Sequence, residues 1–408
     1  MHRLHGKLLL LVLIATTASV SLRAQEVEDT IRIKTRVVFL DALVKDKKTN
    51  LPISNLTQEN FQVLDDGKPR PISYFTREGE ARKPLALILI LDLREDGAGR
   101  FLKEVEILKS MEGELAKLPP GDEVAFLAMN IGEDEQRVWL SEFTNERAKI
   151  AAALARVQAL CEKKNDVEPP KGTAESRGEK PADQSKKNEV VSTETIKGRD
   201  GSVITRKTMS DGAVDITRVS KNGKMTMELG EVYDMAAAVR EATRKAQQLR
   251  PNSQMSLVWV SDGIAPIFYA DRDATEEIIV RDNVIFNSLT VELRTLFKFL
   301  LPMGKPIAGW MGMSLYGSAK HLAQQSGGEA VKVGRVKDYG AGLSRIIGNL
   351  TARYSLGFTL AEDESDDGRM HHLEVRVNAP DEKGRKRKLL VNSRQGYYMA
   401  FPPITQKQ

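Results

Sequence analysis

"LALILILDLREDGAG", residues 85–99, opens with seven consecutive apolar residues and stops at Asp92. A run of that length without alternation suits a strand buried on both faces of a parallel sheet. Its carboxyl end, where Asp92 falls, is where open α/β sheets place ligand sites. A conventional metal site would want small oxygen donors beside that aspartate, but the next residues are Leu93, Arg94, Glu95 and Asp96.

Strand and helix patterns alternate downstream of this run, as βαβ units require. "GRFLKEVEILKSMEGELAKL" carries a helical stripe of Phe101, Leu102, Val105, Leu108, Met111 and Leu115, and "EVAFLAMN" and "RVWLSEF" read as strands. "TNERAKIAAALARVQAL" reads as a helix capped by Thr144 or Asn145. The pattern resumes with the helix "GEVYDMAAAVREATRKAQQL", the strand "MSLVWVSDG" ending at Asp262-Gly263, the strand "NVIFNSLTVEL" and the helix "SLYGSAKHLAQQSGG". The expected fold class is α/β with a parallel sheet, whose strand order the alternation does not give.

The flanks and the middle differ in character. Residues 1–24 place Arg3 and Lys7 before an apolar stretch that fades into Thr, Ser and Ala, the signature of a signal peptide cut after Ala24. The strongly apolar part falls short of the ~20 residues that span a bilayer, so no transmembrane segment is expected once it is cleaved. Residues 25–83 read as an N-terminal β-sandwich-like domain, and residues 361–408 as a C-terminal β segment. In "TRVVFLDALV" the alternation puts Val37, Phe39 and Asp41 on one buried face, and an aspartate on an apolar face predicts a bulge or a strand end near Asp41 that turns it to solvent. The α/β body occupies 84–161 and 230–360. Between them lies an insert, 162–229, whose first part is charged and proline-rich and is expected to be disordered. In its second part Asp200-Gly201, Asp211-Gly212 and Asn222-Gly223 recur every 11 residues, predicting a β-meander with type I′ turns.

The ends of these strands carry a resemblance. The buried strand ending at Asp92, the helix entered by "GEVYDMA" and the strand ending in "SDG" resemble the von Willebrand factor type A fold. With the flanking "LTQENFQVLDDGKPRPI", "LAQQSGGEA" and "HHLEVRV…SRQGYY", the chain resembles exported type A-related proteins of the acidobacterial type. That resemblance implies a doubly wound, mostly parallel sheet with helices on both faces and a metal-ion-dependent adhesion site on its upper rim. The site is built from Asp-x-Ser-x-Ser, a threonine and a second aspartate. Asp92 and Asp262 match the two aspartates; the serine positions fall on Arg94 and Asp96, and the threonine position on Gly230. The site is thus degenerate. Three readings stay open, one of them an exposed Arg94 with no special partner. Arg94 pairs with Asp92 or Asp262 and neutralises the rim in place of a metal, so that no cofactor is held. Alternatively Asp92, Asp96 and Asp262, with Glu133 or Asp134, rebuild a site for Mg²⁺ or Ca²⁺, from which Arg94 must swing away.

Other chemistries find little support. Removing residues 1–24 takes away Arg3, Lys7 and Arg23 and no acid, so the formal charge falls from +5 to +2, and nucleic acid is not an expected partner. Cys161 stands alone, so no internal disulfide forms. Past the leader only His321, His371 and His372 remain, and the last two, adjacent on a strand, point to opposite faces. No nucleophile and base stand at a recognisable spacing, and "GWMGMSLYG" lacks a phosphate-loop pattern. The basic run "EKGRKRK" reads as a solvated hairpin tip, with anionic glycans or a membrane surface as the alternative contact. The expectation is a non-enzyme, exported to the periplasm or secreted, that binds a protein or cell-envelope component. The alternative is a structural subunit of a cell-envelope assembly whose rim is vestigial.

Overall fold

The computed structural model describes residues 36–77, 82–94, 98–129, 131, 137–165, 189–199, 201–209, 214–221, 223–229, 235–291, 312–364, 366–380, 384–385 and 387–399. The segment read as a signal peptide, 1–24, the charged first part of the insert between 166 and 188, and the positions Asp96, Glu133, Asp134 and Gly230 lie outside them.

In chain order the first strands are β1 (Val37–Asp46), β2 (Phe61–Asp65), β3 (Lys68–Arg70) and β4 (Tyr74–Thr76). The body begins with β5 (Leu85–Asp92), α1 (Gly99–Leu102), α2 (Val105–Leu115), β6 (Glu123–Met129), β7 (Arg137–Thr144) and α3 (Arg147–Asn165). The insert supplies β8 (Val190–Lys197), β9 (Val203–Met209), β10 (Val214–Ser220) and β11 (Gly223–Leu229). The body resumes with α4 (Met235–Leu249), β12 (Gln254–Ser261), β13 (Ile264–Phe268), α5 (Tyr269–Arg281), β14 (Ile285–Val291), β15 (Met313–Tyr316), α6 (Ser318–Ser326), β16 (Ala330–Val333) and α7 (Tyr339–Thr351). The last strands are β17 (Tyr354–Thr359), β18 (His371–Val377), β19 (Leu389–Ser393) and β20 (Gly396–Tyr397).

The central sheet has the order β16-β14-β12-β5-β6-β7, parallel throughout except for β7, which runs antiparallel to β6 at the edge. Taken in chain order within the sheet this is 3-2-1-4-5-6, the doubly wound order, with its switch point between β5 and β12. The run at 85–91 is unbroken because β5 serves two cores. Leu85, Leu87, Leu89 and Leu91 face α2, α3 and α7, while Ala86, Ile88 and Ile90 face α4, α5 and α6. Every residue of β5 is buried, and truncating one of its leucines to alanine costs about 2–5 kcal/mol.

The helix expected to run from Gly99 is broken at Glu104, whose extended backbone (φ −75°, ψ 119°) separates α1 from α2. Gly99 is required where it stands, since a Cβ would lie 2.3 Å from the Leu93 carbonyl oxygen. The stretch "SLY", expected to be helical, forms β15, which pairs with β13 in a two-stranded ribbon, and α6 starts at Ser318.

The segment 25–83 does not make a sandwich by itself. Two four-stranded sheets, β19-β1-β17-β4 and β20-β18-β2-β3, each mix strands from both flanks of the body. They enclose one core that includes Leu40, Val44, Val63, Leu356, Phe358 and Leu373. Tyr354, expected within the body, opens the strand that pairs with β1. The register of β1 is also opposite to expectation. Val38, Leu40, Ala42 and Val44 are buried, Phe39 is exposed, and pairing continues regularly through Asp41 opposite Ser355 without a bulge. Asp41 lies on the outer face, where it accepts the Ser355 hydroxyl at 2.6 Å.

The meander forms a four-stranded antiparallel sheet, β11-β10-β9-β8. Its first turn is not type I′. Gly201 donates to the Gly198 carbonyl at 3.0 Å and adopts φ +77°, so the left-handed residue closes the turn instead of sitting inside it. At the last turn Ser220 pairs with Gly223.

Candidate functional site

Asp92 ends β5, Asp262 directly follows β12, and these strands flank the switch point. Arg94, two residues past β5, turns back over both. Its Nη2 donates to Asp262 Oδ1 at 2.7 Å, to Asp92 Oδ2 at 3.1 Å and to the Ile264 carbonyl at 3.3 Å, and its Nε reaches Asp92 Oδ1 at 3.4 Å. Ser261 Oγ donates to Asp92 Oδ2 at 2.7 Å, and the Ile264 amide donates to Asp262 Oδ1 at 2.9 Å. Tyr339, at the head of α7, closes the inner side by donating to the Ser261 carbonyl at 3.3 Å.

The group is shut away from solvent: Asp92, Arg94 and Asp262 are only 1%, 3% and 3% exposed. Burial pushes the Asp262 carboxyl above its ordinary range against the pull of Arg94 and the Ile264 amide, and the neighbouring Asp92 charge adds to the rise. Asp262 Oδ2 is buried with no hydrogen-bond donor among the described residues. The inward donor set is two carboxylates, one hydroxyl and a guanidinium. A guanidinium has a permanent charge and no lone pair to give, so this set does not fit a divalent cation.

Of the sequence candidates, Asp92, Arg94 and Asp262 therefore come together, while Asp96, Gly230, Glu133 and Asp134 lie outside the described residues. Ser261 and Tyr339 belong to the same network and were not singled out as rim residues; the position of Ser261 next to Asp262 was the available signal. His321 lies on α6 with its Nε2 2.6 Å from Glu276 Oε2. His371 is buried and His372 exposed, as strand alternation requires.

A second buried ionic group holds the meander onto the body. Asp271, on α5, accepts Arg240 Nη1 from α4 at 2.5 Å and Arg206 Nη2 from β9 at 2.7 Å. Both arginines also reach Glu194 of β8, at 2.9 Å and 3.3 Å. Burial opposes ionisation of Asp271, but the two guanidinium groups outweigh it and hold the carboxyl below its ordinary range. Nothing in the local sequence marks these residues, because the pairs join segments far apart in the chain.

No family model matches the chain, and no curated protein matches it. Solved structures similar to it include the SpRpn10 VWA domain, with a TM-score of 0.29 and 8% identity over 65% of this chain and 94% of that one. Manganese-loaded Plasmodium vivax TRAP gives 0.32 and 10% over 80% of this chain and 98% of that one. The human COPII-coat protein Sec24c gives 0.32 and 9% over 78% of this chain, which spans only 44% of the Sec24c chain. Scores of this size carry no weight of their own, so the fold rests on the strand order and the two-faced core.

Proposed function

We propose that the chain is an exported, non-catalytic protein-binding module of the von Willebrand factor type A kind, whose rim is neutralised by Arg94 in place of a metal ion. The single observation that supports this is the Arg94 guanidinium lying between Asp92 and Asp262 at 3.1 Å and 2.7 Å. A metal-dependent rim works by leaving one coordination position open to a carboxylate of its partner. Here the cation is a side chain, both acids are buried beneath it, and no such position is offered. Binding then falls to other surfaces, and the buried rim serves to fix the ends of β5 and β12. Export rests on the composition of residues 1–24 alone.

Calorimetric titration with Mg²⁺, Mn²⁺ and Ca²⁺ tests the rim. The expected result is no saturable uptake that depends on Asp92. A micromolar site in the wild type that Asp92→Ala abolishes would overturn the proposal. Co-purification from an envelope fraction tests the role: a stable, stoichiometric complex would favour a structural subunit over a binding module.

A further inference from the structure

Away from the rim, at one end of the sandwich, two carboxylates and an imidazole converge. Asp65 is the last residue of β2, Asp66 sits in the following turn with φ +47°, and His371 opens β18, the strand paired with β2. One ligand atom from each of the three lies within 4.8 Å of the other two. The backbone fixes this approach. The Asp66 amide donates to the His372 carbonyl at 2.8 Å, and the His372 amide donates to Asp66 Oδ1 at 2.9 Å.

One atom in this group lacks what a buried anion needs. Asp65 is 3% exposed, and its Oδ2 accepts Arg70 Nη2 at 2.8 Å, Arg70 Nε at 3.0 Å and the Tyr397 hydroxyl at 3.2 Å. Its Oδ1 is buried with no donor among the described residues. An unmatched buried carboxylate oxygen is costly, and a bound cation is one way to satisfy it.

The imidazole is arranged as metal-bound histidines are. Nδ1 of His371 faces Asp66 Oδ2 at 3.0 Å, and Nε2 faces Asp367 Oδ1 at 3.3 Å. Both nitrogens face carboxylates, so in the metal-free ring Nδ1–H donates to Asp66; a metal would displace that proton and take the Nδ1 lone pair, while Nε2–H donating to Asp367 fixes tautomer and ring. Tyr397 stacks on the ring at 5.2 Å and limits its rotation. Arg369, 3.0 Å from Asp66 Oδ2, is the competing cation; it is more than half exposed and also bonds Asp367, so it has solvent to move into.

We propose that Asp65, Asp66 and His371 form a binding site for a divalent cation of the borderline type, of which Zn²⁺ is the representative. Two carboxylate oxygens and one imidazole nitrogen give three ligands, and the exposed side at Asp66 leaves room for water as the fourth. Imidazole in the set favours Zn²⁺ over the hard cations Mg²⁺ and Ca²⁺. The bound ion would clip the β2–β3 turn to the start of β18.

The test is calorimetric titration of the chelator-treated full chain with Zn²⁺, repeated with Ca²⁺ and Mg²⁺. One saturable Zn²⁺ site per chain is expected, with Ca²⁺ and Mg²⁺ at least tenfold weaker. Asp66→Asn changes an exposed carboxylate at a backbone angle that asparagine tolerates, so it should fold and weaken Zn²⁺ at least tenfold. His371→Gln should do the same. Asp367→Asn should weaken binding about 10- to 100-fold through the orientation of the ring. His372→Gln and His321→Gln should leave the affinity unchanged. Should His371→Gln fail to fold, the Co²⁺-loaded wild type provides the second readout, through paramagnetically shifted resonances of the His371 ring. Absence of a saturable Zn²⁺ site, or a site indifferent to Asp66→Asn and carrying no shifted His371 signal, would overturn the proposal.

Discussion

Replacing Arg94 by methionine keeps most of its volume and removes its charge. Four contacts go with it: those to Asp262 Oδ1, Asp92 Oδ2, Asp92 Oδ1 and the Ile264 carbonyl. Among the contacts that stay are the Ser261 hydroxyl and the backbone amide of residue 94 on Asp92, and the Ile264 amide and the Ser261 hydroxyl on Asp262. These neutral donors supply no countercharge for a pair of buried, adjacent carboxylates, so one takes up a proton in the folded state. Its folded pKa then exceeds its unfolded value, so the stability it supports is complete below the unfolded pKa and is lost as pH rises. Holding a proton on a group with an unfolded pKa of ~3.9 costs about 1.4 kcal/mol per pH unit above that value. The penalty is therefore about 1.5 kcal/mol at pH 5 and about 4 kcal/mol at pH 7, within the roughly 3–5 kcal/mol expected for breaking a buried ion pair. Urea unfolding of wild type and Arg94→Met at both pH values, followed by the fluorescence of buried tryptophan such as Trp259 on β12, measures it. A loss under about 1 kcal/mol at pH 7, or one equal at the two pH values, would refute the assignment of Arg94 as the neutralising cation.

Two further outcomes are expected. Asp271 has its pKa held down by Arg206 and Arg240, so its contribution is present above its unfolded pKa and lost as pH falls below about 4; Asp271→Asn should cost about 3–5 kcal/mol at pH 7 and make amides of β9 exchange faster than those of β5. Gly328→Ala should destabilise the fold by at least about 3 kcal/mol, because its Cβ would lie 1.9 Å from the Phe286 carbonyl oxygen, whereas Gly334→Ala, with nothing within 4 Å, should leave the thermal midpoint nearly unchanged.

Legibility followed the reach of each interaction. The unbroken apolar run to Asp92 announces a strand covered on both sides, because burial on two faces leaves no polar alternate position. Asp92, Arg94 and Asp262 were readable because strand ends in an open α/β sheet gather at one rim. The register of β1 was not, since "VVFLDALV" is apolar on both alternating faces; Asp41 held the answer, a charge that sends its own face outward. The closure of the sandwich by strands from both flanks leaves no local trace, because antiparallel partners are selected by packing across some 300 residues. The anchoring of the meander by Arg206, Arg240 and Asp271 escapes for the same reason, as does the carboxylate-imidazole group around His371, whose members meet only when β2 pairs with β18.

The interleaved sandwich sets an order of assembly during synthesis. β1 emerges early, yet its partners β17 and β19 are made only after the whole body. The body's own sheet is complete once β16 has emerged, so it can fold first and bring Pro84 and Arg353 to fixed positions. Closing a loop of n residues costs about (3/2)RT ln n, so a folded body spares β1 most of the search that a 300-residue coil would impose. Until then β1 and the β18-facing edge of β2 lack their partners, and chains truncated before Tyr354 are expected to be held by chaperones, which a pull-down of the truncated chain checks.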